Sequence, residues 1–149
     1  MTEFLELTID KFTFRVATDR WYSDEGVWAK PEGTNVRIGL SDFVQQRSGD
    51  VAFAEVKPVG TTLAVGDEVA VIESIKVNVS VPTPVTGKIV ESNPTMRDAP
   101  EVMNHDPFGD GWLAVVEPAD WEADKGRLLD AQGYFARMKK EAEEEAKRL

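Results

Sequence analysis

A chain of 149 residues with 42% hydrophobic and 9% aromatic content can bury one globular core, and no apolar run approaches the roughly 20 residues that cross a bilayer. Its net charge of −10 argues against nucleic-acid and anionic-membrane partners, both of which require a basic surface. The absence of cysteine excludes disulfides and thiolate zinc sites.

The start, "MTEFLELTIDKF", is acidic and has no basic region followed by a long apolar core, so it does not read as a signal peptide, and a cytoplasmic location is expected. "FLELTIDKFTFRV" alternates as one or two strands, and in "WYSDEGVWAKPEGTNVRIGL" the segment Pro31 to Asn35 supplies a turn before the strand "VRIGL". "SDFVQQRSG" predicts a short helix with Ser41 as its N-cap, Gln45 near the capping-box position and Gly49 past its end. Short strands follow in "DVAFAEV", "TTLAVGDEVAVIES", "KVNVSVPTP" and "GKIVESN", and "LAVVEP" supplies a closing strand. The regular Gly and Pro punctuation predicts a mostly β fold, an antiparallel sandwich or flattened barrel with short helices. From about Lys125, Leu128, Ala131, Phe135, Met138, Ala142 and Leu149 recur at helical spacing. A C-terminal amphipathic helix is expected, its first half packed on the body and its Glu- and Lys-rich last turns solvated. The division is residues 1–126 as a β domain and 127–149 as a helix packed on it or extending from it.

The chain carries no catalytic constellation. Its one histidine, His105, has no second histidine or cysteine to complete a metal site, and no nucleophile elbow, phosphate loop or dinucleotide fingerprint is present. It is not read as an enzyme. The anomaly is Lys76, a hydrated cation inside a strand-like run, with Val69, Val71 and Ile72 before it and Val77, Val79 and Val81 after it. It lies roughly midway between "VGDEVAV" at Val65 and "VTGKIV" at Val85, a faint internal repeat that would place it at a hairpin turn. Two roles fit such a lysine: a solvated tip, or an attachment point for a group the chain lacks.

Between Trp21 and Tyr134, "IGLSDFVQ", "GDVAFAEVKPVG", "GDEVAVIESIK", "PVTGKIVESN" and "NHDPFGDGWL" follow in an order and spacing that resemble the glycine cleavage system H protein family of lipoyl carriers. The resemblance implies a hammerhead-like lipoyl-domain fold in which Lys76 bears lipoate in amide linkage at an exposed turn. It implies that Glu73 helps a lipoate-attaching enzyme recognise that turn. Glycine decarboxylase, aminomethyltransferase and dihydrolipoyl dehydrogenase are the partners it implies, for a monomeric carrier. A biotin carrier would place methionine on each side of the lysine, where this chain has Ile75 and Val77.

The departures gather around the arm. Gly26 stands where the family usually has the histidine two residues before Trp28, and Val27 replaces a glutamate. Val77 and Asn78 replace small residues, Ser80 an acidic one and Pro82 an aromatic one, and the helix runs past the usual end. These changes resemble a second group, H-protein-like lipoate-binding proteins of a bacterial sulfur-oxidising, heterodisulfide-reductase-like pathway. That likeness implies sulfur species as cargo and a sulfur-handling redox complex as partner. It is the expectation preferred here over ordinary glycine cleavage.

Overall fold

The computed structural model describes residues 2–148. Strands β1 (Phe4–Ile9) and β2 (Phe12–Ala17) pair antiparallel as a hairpin that turns at Asp10, where φ is +55°. An aspartate tolerates that left-handed conformation better than most residues. A six-stranded sheet is built from β3 (Trp21–Tyr22), β4 (Val27–Glu32), β5 (Asn35–Leu40), β7 (Thr62–Leu63), β10 (Gly87–Ser92) and β11 (Ala114–Pro118), in the order β3-β4-β5-β11-β10-β7. A second sheet orders β6 (Val51–Val56), β8 (Glu68–Ser74) and β9 (Asn78–Pro82) as β6-β8-β9. The six-stranded sheet ends at β3 and β7 without closing, so the fold is the sandwich and not the flattened barrel.

The alternation in the sequence explains the core. In β5, Val36, Ile38 and Leu40 point inward, and in β10 Ile89 is buried while Lys88 is exposed. They meet Val69 and Ile72 of β8 in one apolar cluster, the dominant source of stability in a sandwich.

Three short helices connect strands, α1 (Asp42–Ser48), α2 (Thr95–Asp98) and α3 (Val102–His105), and a fourth, α4 (Trp121–Lys125), follows β11. Ser41 caps α1 as expected, its Oγ accepting from the Val44 amide at 3.3 Å. Gln45 is no capping-box partner. It lies one residue beyond the position that faces the cap, and its amide donates to Asp42 Oδ1 at 2.7 Å and accepts from Asn104 Nδ2 at 2.9 Å.

The last helix, α5 (Ala131–Lys147), begins later than the pattern from Lys125 suggested. The chain first turns after α4, and Asp130 restarts the helix by accepting from the Gly133 amide at 2.7 Å. Ala131, Tyr134, Met138 and Ala142 form its buried face and join Phe14, Tyr22, Trp28 and Phe43 in a second core cluster. Tyr134 stacks on Tyr22 with ring centroids 4.5 Å apart and planes 7° apart. Burial pushes both phenols up, Tyr134 to about 12, so both stay neutral, and Tyr22 donates to Ala17 O at 2.7 Å. The last turns, expected to be solvated, reach α1 through Arg47, which pairs with Glu141 at 3.3 Å and Glu145 at 3.5 Å. Leu149 lies outside the described residues. Among those residues no helix is long and apolar enough to cross a membrane.

Because Asp130 supplies the cap that restarts α5, Asp130→Ala should destabilise the fold by about 1 kcal/mol. In a chain of this size that lowers Tm by about 2–4 °C. A scanning-calorimetry trace unchanged by the substitution would show that the cluster holds the helix without its cap.

Candidate functional site

β8 and β9 pair with Glu73 opposite Asn78, so the hairpin tip consists of Ile75, Lys76 and Val77. All three are exposed, Ile75 at 74% and Val77 at 47%. Large apolar side chains left open on either side of a lysine are not what a merely solvated tip requires.

The tip is nevertheless held firmly at its root. Ser74 donates its amide to Val77 O at 3.0 Å, and its Oγ accepts from the amides of Lys76 at 3.3 Å and Val77 at 3.0 Å. The Ser74 hydroxyl also lies 2.6 Å from Ser48 O, and Ile75 donates to Asp50 O at 3.1 Å. The turn that bears Lys76 is thereby tied to the end of α1 and the start of β6. Gly49 joins those two elements at a φ of +87°, and a Cβ there would meet Lys76 Cδ at 2.9 Å. The stem of Lys76 therefore passes directly over Gly49, a place only glycine leaves open.

Lys76 is where the flanking valines put it, at a turn, and its amine points into no ion pair among the described residues. Glu73 is exposed on the adjoining β8, in register with Phe53 of β6 and Asn78 of β9. Ser74 carries no sequence signal of its own beyond its place before Ile75 and Lys76, although serine is a usual turn organiser. Ser48 and Asp50 carry no sequence signal, because their role depends on α1 ending beside the hairpin. His105 ends α3 and is exposed, and among the described residues no group of three or more His, Cys, Asp or Glu side chains is placed to hold a metal.

Beside the hairpin lies a cleft of about 520 Å³ walled by Val27, Leu40, Val44, Val77, Val79 and Val81, with Glu25, Arg47 and Ser80 also lining it. Val27, Val77 and Val79 all face this one cleft. Gly26 does not behave as an empty place in its wall. It is buried at a φ of +81°, and a Cβ there would come within 2.4 Å of Val44 Cγ2 and 2.9 Å of Tyr134 Oη. The position is packed shut from inside by α1 and α5.

Since Lys76 contributes an exposed side chain and no core contact, Lys76→Ala and the unmodified chain should melt within a few degrees of the modified chain, as substitutions at exposed sites usually stay within about 0.5 kcal/mol. A loss of thermal stability well beyond that, in a thermal melt followed by circular dichroism, would make the arm part of the core.

Residues 20–141 match the family model described as glycine cleavage H-protein. The chain is 40% identical over 127 residues to a glycine cleavage system H protein of Thermus thermophilus, covering 85% of this chain and 98% of that one. It is 44% identical over 126 residues to the probable glycine cleavage system H protein of Natronomonas pharaonis, with the same coverage of each. The crystal structure of a glycine cleavage system H protein from Mycobacterium marinum superposes with a TM-score of 0.72 at 32% identity, over 80% of this chain and 96% of that one. The chain belongs to the glycine cleavage H-protein family, whose members carry a covalently attached lipoyl group and are not catalysts.

Proposed function

We propose that Lys76 bears lipoate in amide linkage and that the chain serves as the aminomethyl carrier among glycine decarboxylase, aminomethyltransferase and dihydrolipoyl dehydrogenase. The observation that carries the attachment is the exposed amine on a turn fixed at its root by Ser74. Fit favours it as well: the Lys76 stem has a clear path over Gly49, and a cleft large enough for a small organic group adjoins the hairpin. When attached, the group supplies a dithiolane, the redox-active sulfurs that a chain without cysteine lacks. Glu73, exposed beside the turn, is the residue assigned to recognition by the lipoate-attaching enzyme. The names of the Thermus and Natronomonas relatives support glycine cleavage enzymes as the clients.

A second reading has sulfur species as cargo for a heterodisulfide-reductase-like complex. It is favoured by one feature, the valine walls of the cleft, against which a primary amine without hydrogen-bond partners is held at a cost. Glu25 and Ser80 weaken that objection, since both line the same cleft and offer oxygen acceptors. Ser80 already spends its proton on Glu68 Oε1 at 2.8 Å.

Glycine–bicarbonate exchange by glycine decarboxylase separates the two. The lipoylated chain should support exchange within about tenfold of a Thermus-type H protein at equal concentration, a barrier difference under roughly 1.4 kcal/mol. A larger deficit, in protein whose lipoylation is complete by intact mass, would abandon glycine cleavage for the sulfur reading.

A further inference from the structure

A groove of about 460 Å³ opens between the β1–β2 hairpin, α1 and the last turns of α5, and shares only Arg47 with the cleft of Val27. Its apolar surface is Ile9, Phe12, Phe14, Phe43, Ala142 and Ala146. Phe12 is 43% exposed and stacks on Phe14 at 6.3 Å, and Phe14 meets Phe43 edge-on at 5.2 Å. Most of the lining comes from residues before 20 and after 141, outside the family match, so the likeness to the H proteins does not account for it. The cations around the groove stand out in a chain of net charge −10. Lys76 and Arg148 line it and Lys11 lies 5.6 Å from the Phe12 ring, and none of the three is in an ion pair among the described residues. Arg47 is already held by Glu141 and Glu145, which leaves Asp10 as the one lining carboxylate outside an ion pair among those residues.

We propose that this groove is a docking site for the lipoate-attaching enzyme, which enters it with an acidic segment that carries an apolar side chain. The inference rests on attachment at Lys76 and adds the surface by which the unmodified chain is held. The phenylalanines accept an apolar anchor, the kind of buried contact that dominates interface energies. The unpaired cations at the edge match carboxylates placed beside that anchor. Lys76 then selects the partner, because a protein seated here lies against the lysine that it must acylate. Acylation takes two protons from the Lys76 ammonium, forms the amide C–N bond and breaks the bond from the acyl carbon to its activating group, so the charge is lost. An acidic segment therefore holds the unmodified chain more tightly than the product. Glu73 does not line the groove and carries the opposite charge, so the two contacts together fix the orientation of the enzyme on the turn.

Binding can be read apart from chemistry with Lys76→Arg, which keeps the charge and cannot be acylated. The Lys76→Arg chain should inhibit lipoylation of the wild-type chain competitively, with the lipoate-attaching enzyme of the same host. Adding Phe12→Ser, Ala146→Glu or Arg148→Glu should weaken that inhibition at least about fivefold. Arg148→Glu should also flatten its dependence on salt. Phe12 and Arg148 are exposed and Ala146 is half-buried on the last turn of α5, so thermal melts of the two helix variants should match that of Lys76→Arg and keep the test valid if Phe12→Ser unfolds the hairpin. Lys88→Glu makes the same charge reversal on β10, outside the groove, and should leave the inhibition constant within about twofold. Inhibition that is absent, that Ala146→Glu and Arg148→Glu leave unchanged, or that Lys88→Glu weakens equally would overturn the dock while leaving attachment intact. So would a wild-type chain that sediments as a dimer until Phe12→Ser is introduced, because a second copy would then fill the groove. A wild-type chain that keeps its unmodified mass after treatment with the enzyme would overturn attachment, and the dock with it.

Discussion

Lys76→Arg should abolish lipoylation outright. Wild-type chain treated with a lipoate-attaching enzyme is expected to gain the mass of one lipoyl group, located on the peptide containing Lys76, and the variant to gain none. The reason is chemical before it is structural. Amide formation needs a primary amine that can become neutral and attack an activated acyl group, and a guanidinium stays charged at any accessible pH. Arginine keeps the positive charge and nearly the length, so loss of modification cannot be blamed on a lost surface charge. It should also leave the turn intact, because the bonds that shape the tip come from Ser74 and from backbone groups of Ser48, Asp50 and Val77. Lys57 and Lys88 are controls within the same sandwich: both are exposed, yet neither occupies a hairpin tip. Modification of Lys57 or Lys88, or a modified Lys76→Arg chain, would disprove the assignment. Glu73→Ala tests a subtler role, and a slower but complete modification is its expected outcome if Glu73 is read by the ligase.

The hairpin tip was legible because valines at alternate positions on both sides of Lys76 define two strands, and a lysine between them has nowhere else to go. The strands β5 and β10 were legible for the same reason, their inward residues being spaced by two. The buried face of α5 was only partly so. Helical spacing picks out Ala131, Met138 and Ala142 but not Tyr134, although Tyr134 stacks on Tyr22 and is among the more deeply buried side chains of the helix. A tyrosine reads as amphipathic, and only the partner ring across the interface decides that it goes in. The late start of α5 was hidden because Lys125 to Leu129 continues an apolar spacing through what is in fact a turn. The groove lined by Ile9, Phe12, Phe43 and Ala146 could not be read at all, since its walls come from the first hairpin, the first helix and the last helix, and the first and last of these are more than a hundred residues apart.

Gly26 is where pattern and packing diverge most, and it carries the last large prediction. The resemblance to the family invites the substitution Gly26→His, which would supply the histidine that the resemblance implies two residues before Trp28. In this chain the substitution should instead destabilise the fold by about 2–5 kcal/mol, combining the left-handed backbone penalty of roughly 1–2 kcal/mol with overpacking of roughly 1–3 kcal/mol. The backbone at Gly26 has a φ of +81°, a conformation that a side chain rarely accepts. The first carbon of any side chain would lie 2.4 Å from Val44 Cγ2 and 2.9 Å from Tyr134 Oη, with Ser41 Oγ at 3.1 Å. These neighbours cannot give way cheaply. Tyr134 is held by its stack on Tyr22 and by a 2.9 Å hydrogen bond to Ser41, and Ser41 is the cap of α1. An imidazole there would also enter a buried site whose polar groups already have partners. Urea unfolding should therefore show a lowered midpoint at an unchanged slope. Gly26→Ala should lose less, and Tyr134→Ala should cost less in the Gly26→His background than in the wild type, because it removes one of the two clashing walls. A Gly26→His chain as stable as the wild type would mean that α5 moves aside to admit the ring, and that the family's arm-side histidine had been excluded by circumstance and not by the packing of this chain.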